Sequence, residues 1–442
     1  MTFLRYPAYK DSGVAWLGEI PAHWSVSRIK NAIADARNGV WGDEPSEENS
    51  ILCVRVADFN RQNFTVSLDN RTYRGVAEKD REGRLLQRND LLLEKSGGGE
   101  NQPVGFVVIY EYDEPAVSSN FVARLALKAS SHPRYFLYCF AKLYSERVNI
   151  RSIKQNTGIQ NLDAGQYFDE PITFPPLPEQ HTIAAFLDTE TARIDTLVAK
   201  QVSLITTLQE KRRALISHVV TKGLDPAAPM KDSGVPWLGE VPKHWEVTHL
   251  KRIARIRYGL GQPPREHDQG VPLIRATNID AGKITECDLV LVDPTDVPES
   301  KDAFLTAGEI IVVRSGAYTG DSSIIPSAYE GAVAGYDMVV TVVRAIPQFV
   351  AWSFLGTSVA YQFDIAKLRA AQPHLNAEEL GETWVVLPTT TEQHAIVTHI
   401  EKETSHIDTL IAKAQEMIAV LREHRTALVA AAVTGQIDVR GV

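Results

Sequence analysis

Ile194-Asp-Thr-Leu-Val-Ala-Lys200 returns as Ile407-Asp-Thr-Leu-Ile-Ala-Lys413. Around both copies one frame extends at a constant offset of 213. Glu179-Gln-His181 returns as Glu392-Gln-His394, Leu208 as Leu421, Glu210 as Glu423, Arg212 as Arg425 and Val220-Thr221 as Val433-Thr434. Neither proline nor glycine occurs between Thr182 and Lys222 or between Ala395 and Thr434, so each copy is expected to be one unbroken helix. A seam at 3-4 spacing is predicted through Leu187, Ile194, Leu197, Leu204, Leu208 and Leu215. Ile400, Ile407, Leu410, Met417, Leu421 and Leu428 answer it in the second copy. Apolar residues at this period form a coiled-coil seam that must bury against a partner. Each copy is the obvious partner of the other, and an antiparallel pair is expected. At about 1.5 Å per residue each helix is a rod of ~65 Å.

A second repeat opens each half. Lys10-Asp-Ser-Gly-Val-Ala-Trp-Leu-Gly-Glu-Ile-Pro-Ala-His-Trp24 matches Lys231-Asp-Ser-Gly-Val-Pro-Trp-Leu-Gly-Glu-Val-Pro-Lys-His-Trp245, at an offset of 221. Between opening and rod the similarity fades to a skeleton of short strands. Residues 51–59 parallel 272–279, Asp90–Gly97 parallels Glu309–Gly316, and Phe121–Leu127 parallels 338–343. These β-branched or leucine-rich runs are bounded by Gly, Asn, Asp or Pro, as strands are. Helices are predicted over 134–153 and 348–368. The expected fold is therefore α+β: two tandem α+β domains, each followed by a long helix, in pseudo-two-fold arrangement. Expected boundaries are 1–178, 179–225 (first rod), 226–391 and 392–442 (second rod and tail). A period near 215 is too long for a solenoid and implies duplication of a whole domain.

The 442 residues carry a formal charge of -9. By segment it is -1 for 1–178, 0 for 179–225, -6 for 226–391 and -3 for 392–438, with Arg440 adding +1. A nucleic-acid surface would have to be local, as in the basic run His249–Arg257. Cys53, Cys139 and Cys287 lie far apart without a Cys-x-x-Cys, which argues against disulfide frameworks and zinc clusters. No apolar run approaches twenty residues and no signal-peptide core is seen, so a soluble cytoplasmic protein is expected.

Catalytic signatures are missing: no phosphate-binding Gly-x-x-x-x-Gly-Lys, no His-Glu-x-x-His, no Gly-x-Ser-x-Gly. Ser96-Gly-Gly-Gly99 reads as a turn after a strand. Asp90, Glu94 and Lys95 resemble a metal-nuclease group only faintly, because adjacent strand residues point to opposite faces. His23, His244, His181 and His394 belong to repeated structural motifs. No catalytic residue, bound metal or resident cofactor is expected.

The ordered set of motifs resembles the specificity (S) subunit of Type I restriction-modification enzymes over essentially the whole chain. It comprises the paired Trp-Leu-Gly-Glu-x-Pro-x-His-Trp openings, the strand-Ser-Gly segments, Pro176-Leu-Pro-Glu-Gln-His181 and the Ile-Asp-Thr-Leu-x-Ala-Lys helices. Ala432-Val-Thr-Gly-Gln-Ile-Asp-Val-Arg440 completes it. Thr389-Thr-Thr391 departs from the Pro-Leu-Pro spacing. The resemblance implies two domains reading the halves of a split duplex-DNA site, with the paired helices as a spacer. It also implies partners: two modification subunits using S-adenosylmethionine, and restriction subunits using ATP and Mg. A competing reading is a tandem adaptor that assembles proteins through its rods.

DNA contacts are expected where Lys or Arg can meet phosphates and Asn or Gln can pair with bases. Before the rods these are Lys154, Asn156, Gln160 and Asn161 in the first half, and Lys367, Arg369, Gln372 and His374 in the second. Arg55, Arg61, Arg275 and Asn278 lie beside the first strand. Lys95, Ser96, Arg314 and Ser315 follow the second, and Arg257 and Tyr258 end the basic run.

Overall fold

A computed structural model describes the chain except residues 1–3, 48, 157, 368–372 and 442. It divides into two compact units, Met1–Val202 with Gln415–Val442, and Ser203–Ala414. Each unit holds one globule together with a part of each long helix, Leu177–Lys222 and Thr390–Val433.

In the first unit a six-stranded sheet runs in the order Ile33–Asn38, Val122–Leu127, Leu91–Glu94, Val107–Ile109, Thr65–Val66, Phe59–Asn60. Leu91, Leu92 and Leu93 are all fully buried, so this strand is covered on both faces. A three-stranded sheet (Ala116–Ser118, Ser50–Val54, Tyr73–Gly75) and a smaller one (Ser96–Gly97, Ile159–Leu162, Ile153–Asn156) complete the globule. The expected helix over 134–153 is shorter, Pro133–Ser145. Arg147 takes a left-handed φ of 56°, which ends the helix and turns the chain into a 3-10 segment and the strand Ile153–Asn156.

The second unit repeats the plan. Ala254–Tyr258, Met338–Val342, Ile310–Val312 and Ser322–Ile324 form its main sheet, beside Val290–Val292, Glu266–Ile274 and Val333–Ala334. Its helical segment is split at Gly356 into Pro347–Leu355 and Thr357–Lys367.

The repeated openings are docking motifs for helix ends. Trp24 and Trp245 are buried. Trp245 shares an apolar cluster with Ile216, Val219 and Val220 of the first long helix and Ile396 and Ile400 of the second. Gly223, just past the first long helix, has φ +79° and would bring a Cβ to 3.1 Å from the Trp245 ring. Gly435 does the same against Trp24 at φ +72°. Only glycine meets both demands at a helix C-terminus. Gln180 and Gln393 are equally matched. Each side-chain oxygen accepts from the N–H before a helix (His132, Ile346) and each amide donates to a proline carbonyl (Pro175, Pro388). Where the Pro-Leu-Pro spacing fails, Thr389 and Glu392 form a reciprocal capping pair. His244 and Trp245 add hydrogen bonds to Glu392. Burial opposes ionisation there, but these bonds outweigh it and hold the carboxyl down at about 2.

The long helices pair antiparallel within each unit. In the first, Arg425 donates to Asp195 at 3.1 Å. In the second, Arg212 and Asp408 stand 3.5 Å apart, the same two positions with their helices exchanged. The seam register differs from the expectation. Its buried positions step 4-3 from Leu187 through Thr191, Ile194 and Val198, and from Ile400 through Thr404 and Ile407. Leu187, Ile194, Leu208, Leu215, Ile400, Ile407, Leu421 and Leu428 lie in or beside it. Leu197, Leu204 and Met417 are instead exposed, and Leu410 is half-buried. The stagger was misplaced because threonine fills the inward positions 191 and 404. Its buried hydroxyl is satisfied inside its own helix, Thr191 by the Leu187 carbonyl at 2.6 Å and Thr404 by that of Ile400 at 2.7 Å.

Candidate nucleic-acid interface

In each unit the chain leaves the central strand of the main sheet at the same point, and the expected contact residues gather there. In the first unit this strand ends at Glu94, and Lys95, Ser96 and Gly97 follow. Ser96 pairs with Asn161 across the small sheet, and its hydroxyl donates to Asn161 Oδ1 at 2.7 Å. Lys154 faces Asn161 on the next strand, where it reaches Asp163 at 2.7 Å. The Lys95 ammonium makes no hydrogen bond or ion pair with any described residue, and Lys95 lies beside the exposed Phe121, whose carbonyl accepts from its N–H. Gln160 is turned inward, accepting from the Val104 N–H. Asn156 lies on the strand Ile153–Asn156, and its side chain falls outside what is described.

The second unit keeps the pairing and loses the sheet. Ser315 forms a single bridge with His374, the residue 213 positions after Asn161. Arg314 occupies the place of Lys95, Tyr336 that of Phe121, and Tyr258 that of Asn38, as the strand registers show. Arg314 Cζ stands 3.7 Å from the Tyr336 ring centre and 4.8 Å from that of Tyr258. Tyr258 is fixed in turn, its hydroxyl accepting from the Ala377 N–H at 2.8 Å. Lys367 pairs with Asp364 at 3.0 Å. Arg369 and Gln372 lie outside the described residues.

Other expected contacts are engaged in holding the fold. Arg257 donates to Glu309, Thr341 and the Asp302 and Phe304 carbonyls, whereas Tyr258, next along the strand, faces the other side. Asn278 is fully buried and bonds Arg275 N–H and the carbonyls of Thr285 and Cys287. Arg275 donates to the Asp288 carbonyl. Arg55 closes on Asp58 at 2.8 Å and Arg61 on the buried Glu94 at 2.6 Å. Arg124 holds Asp90 at 2.6 Å, so both carboxylates of the nuclease-like group are paired with arginines. Among the described residues no group of three His, Cys, Asp or Glu is placed to hold a metal ion.

Tyr336 and Asp337 were not singled out in the sequence. Their signal is Gly335-Tyr-Asp337 set directly before a strand, at the place Asn120-Phe121 takes in the first half. Burial pushes the Asp337 carboxyl up to about 6, with the Arg314 N–H and guanidinium opposing. The folded state thus holds this proton more tightly than the unfolded chain. Stability is lost as pH rises from about 4 to 6, and the loss persists above that range. Asp337→Asn keeps an acceptor for the Arg314 N–H and removes the buried charge. Thermal melts at pH 8 should show a gain of ~1–3 kcal/mol that disappears near pH 4. A loss of stability at pH 8 would mean that attraction to Arg314 outweighs the burial cost.

The family model for the Type I restriction modification DNA specificity domain matches residues 54–205. The Type I restriction enzyme EcoBI specificity subunit of Escherichia coli is 23% identical over 445 residues, covering 95% of this chain and 88% of the relative. The putative MjaX specificity subunit of Methanocaldococcus jannaschii is 22% identical, covering 96% of each. In fold, a chain from a structure of a type I R-M system superposes with a TM-score of 0.71 at 12% identity, over 94% of this chain and 98% of that one. The HsdS subunit of Thermoanaerobacter tengcongensis gives 0.50, also at 12%, over 95% and 98%. In sequence the chain is thus similar, over nearly its whole length, to specificity subunits of Type I restriction-modification enzymes. It shares their fold.

Proposed function

We infer that this chain is the DNA-recognition subunit of a Type I restriction-modification complex, non-catalytic itself, which directs methylation or cleavage by its partners to a split site. The observation that carries this is the duplicated strand-end pair, Ser96 with Asn161 and Ser315 with His374, set on one frame and surrounded by unlike loops. Two readers of different sequences need a common scaffold and different edges. Residues 1–178 and 226–391 are the two readers, and 179–225 and 392–442 supply the paired helices. Lys95, Ser96, Asn161 and Lys154 in the first reader, and Tyr258, Arg314, Ser315 and His374 in the second, form the contact edge; Asn161, Lys154 and Tyr258 are exposed and the others half-buried. Arg55, Arg61, Arg257, Arg275 and Asn278 are engaged within the protein and serve the fold rather than the edge.

The partners are duplex DNA, two modification subunits that bring S-adenosylmethionine, and restriction subunits that bring ATP and Mg, all in the cytoplasm. No helix among the described residues is long and apolar enough to cross a membrane. A net charge of -9 gives the isolated chain little non-specific affinity for DNA. The purified chain should be poorly soluble or bind DNA weakly, and addition of the modification subunits should produce tight, sequence-specific binding in a salt-controlled titration. Tight specific binding by the single chain would overturn this dependence.

A further inference from the structure

Arg314 differs from the other described arginines expected at the interface. Arg55, Arg61, Arg257 and Arg275 each give side-chain donors to protein acceptors. Arg314 gives none to any described residue. Its Nε is buried without a partner, which leaves the two terminal nitrogens as its available donors. The guanidinium is nevertheless held in place. Tyr336 lies 3.7 Å and Tyr258 4.8 Å from its Cζ, and both rings are themselves exposed, at 46% and 41%. Tyr258 is tethered to Ala377, and the Arg314 backbone is fixed at both ends, its N–H on Asp337 and its carbonyl on the Leu375 N–H. A stacked guanidinium loses little further freedom on binding, so unpaired donors held this way favour a planar acceptor pair over a mobile phosphate.

We propose that Arg314, held between Tyr258 and Tyr336, reads one guanine of the half-site recognised by the second unit, donating two hydrogen bonds to its O6 and N7. This rests on the DNA-recognition reading above. Guanine is the base that offers two adjacent acceptors in the major groove, and the arginine fork matches that spacing. Tyr336 and Tyr258 are positioning residues. The first unit has no such clamp, because Lys95 presents a single ammonium and Asn38 replaces the second ring. Its corresponding position should discriminate less sharply.

The test uses the full complex with modification subunits, and reads adenine methylation across a DNA library randomised in both half-sites. With the unaltered chain the second half-site should contain a guanine. Arg314→Gln should reduce preference for that guanine by about 10- to 100-fold, leaving the first half-site and the gap unchanged. Arg314→Lys keeps a cation without the fork and should lose the same preference while overall binding persists. Tyr336→Leu should weaken the preference at that one position, and Tyr336→Phe should preserve it. A uniform loss over all sequences with an unchanged motif would make Arg314 a phosphate contact and overturn the proposal alone. A complex that assembles yet shows no preferred sequence would overturn the recognition role, and the proposal with it.

Discussion

Leu208→Asp is expected to cost roughly 3–5 kcal/mol of stability, and Leu204→Asp, one helical turn earlier, less than about 0.5. The two leucines are chemically identical and share one helix, so propensity and backbone effects cancel in the comparison. They differ in what the side chain meets. Leu208 is 8% exposed and lies in the seam, whereas Leu204 is 45% exposed. An aspartate at 208 must give up its water, ionise at a raised pKa, or force the helices apart; each route costs several kcal/mol. At 204 the carboxylate stays hydrated. Chemical denaturation of the two variants at pH 7.5 measures the difference. At pH 4 to 5 the Leu208 variant should recover part of its loss as the buried carboxyl takes up a proton. Equal costs at both positions would restore the seam predicted from spacing alone.

That prediction marks how far the sequence could be read. The duplication follows from a repeat at fixed offset, the two unbroken helices from missing helix breakers, and their pairing from matching apolar positions, all of which a sequence displays. The stagger of the seam did not follow. Leucines at 197 and 204 outscore threonine at 191 on hydrophobicity, and only tertiary packing shows that a self-satisfied hydroxyl faces inward. The pairing of the two strand ends was half legible. Ser96, Ser315, Asn161 and His374 came from matching the two halves, and the structure joins them as pairs. Sequence could not tell a free arginine from an engaged one. Arg257 and Arg314 look equally basic, yet Glu309 and Thr341 lie 52 and 84 residues from Arg257 and absorb it. Tyr336 passed unnoticed because an aromatic before a strand ordinarily signals core, and exposure is a property of the fold.

Inserting seven residues into both long helices at matching depths is expected to change the spacing of the DNA site and leave both half-sequences intact. Residues 1–178 and 226–391 keep their openings and strand skeleton but differ in their loops, which is the pattern of two independent readers. If both read the same sequence, their edges should resemble one another as their openings do. They do not: a small sheet carries the first edge, and one bridge with an arginine between two tyrosines carries the second. A heptad restores the seam after two turns and lengthens a helix by about 10 Å, close to three base pairs at 3.4 Å each. The same insertion in one helix alone leaves Asp195 and Arg425, or Arg212 and Asp408, out of register, and should destabilise the protein without resetting the gap. Methylome sequencing of cells carrying the doubly extended chain reads the gap directly. Exchange of residues 30–175 for those of a relative should alter one half-site only, which separates reading from spacing. A gap unmoved by the double insertion would show that the helices do not set it. A swap that altered both half-sites would show that the two domains do not read independently.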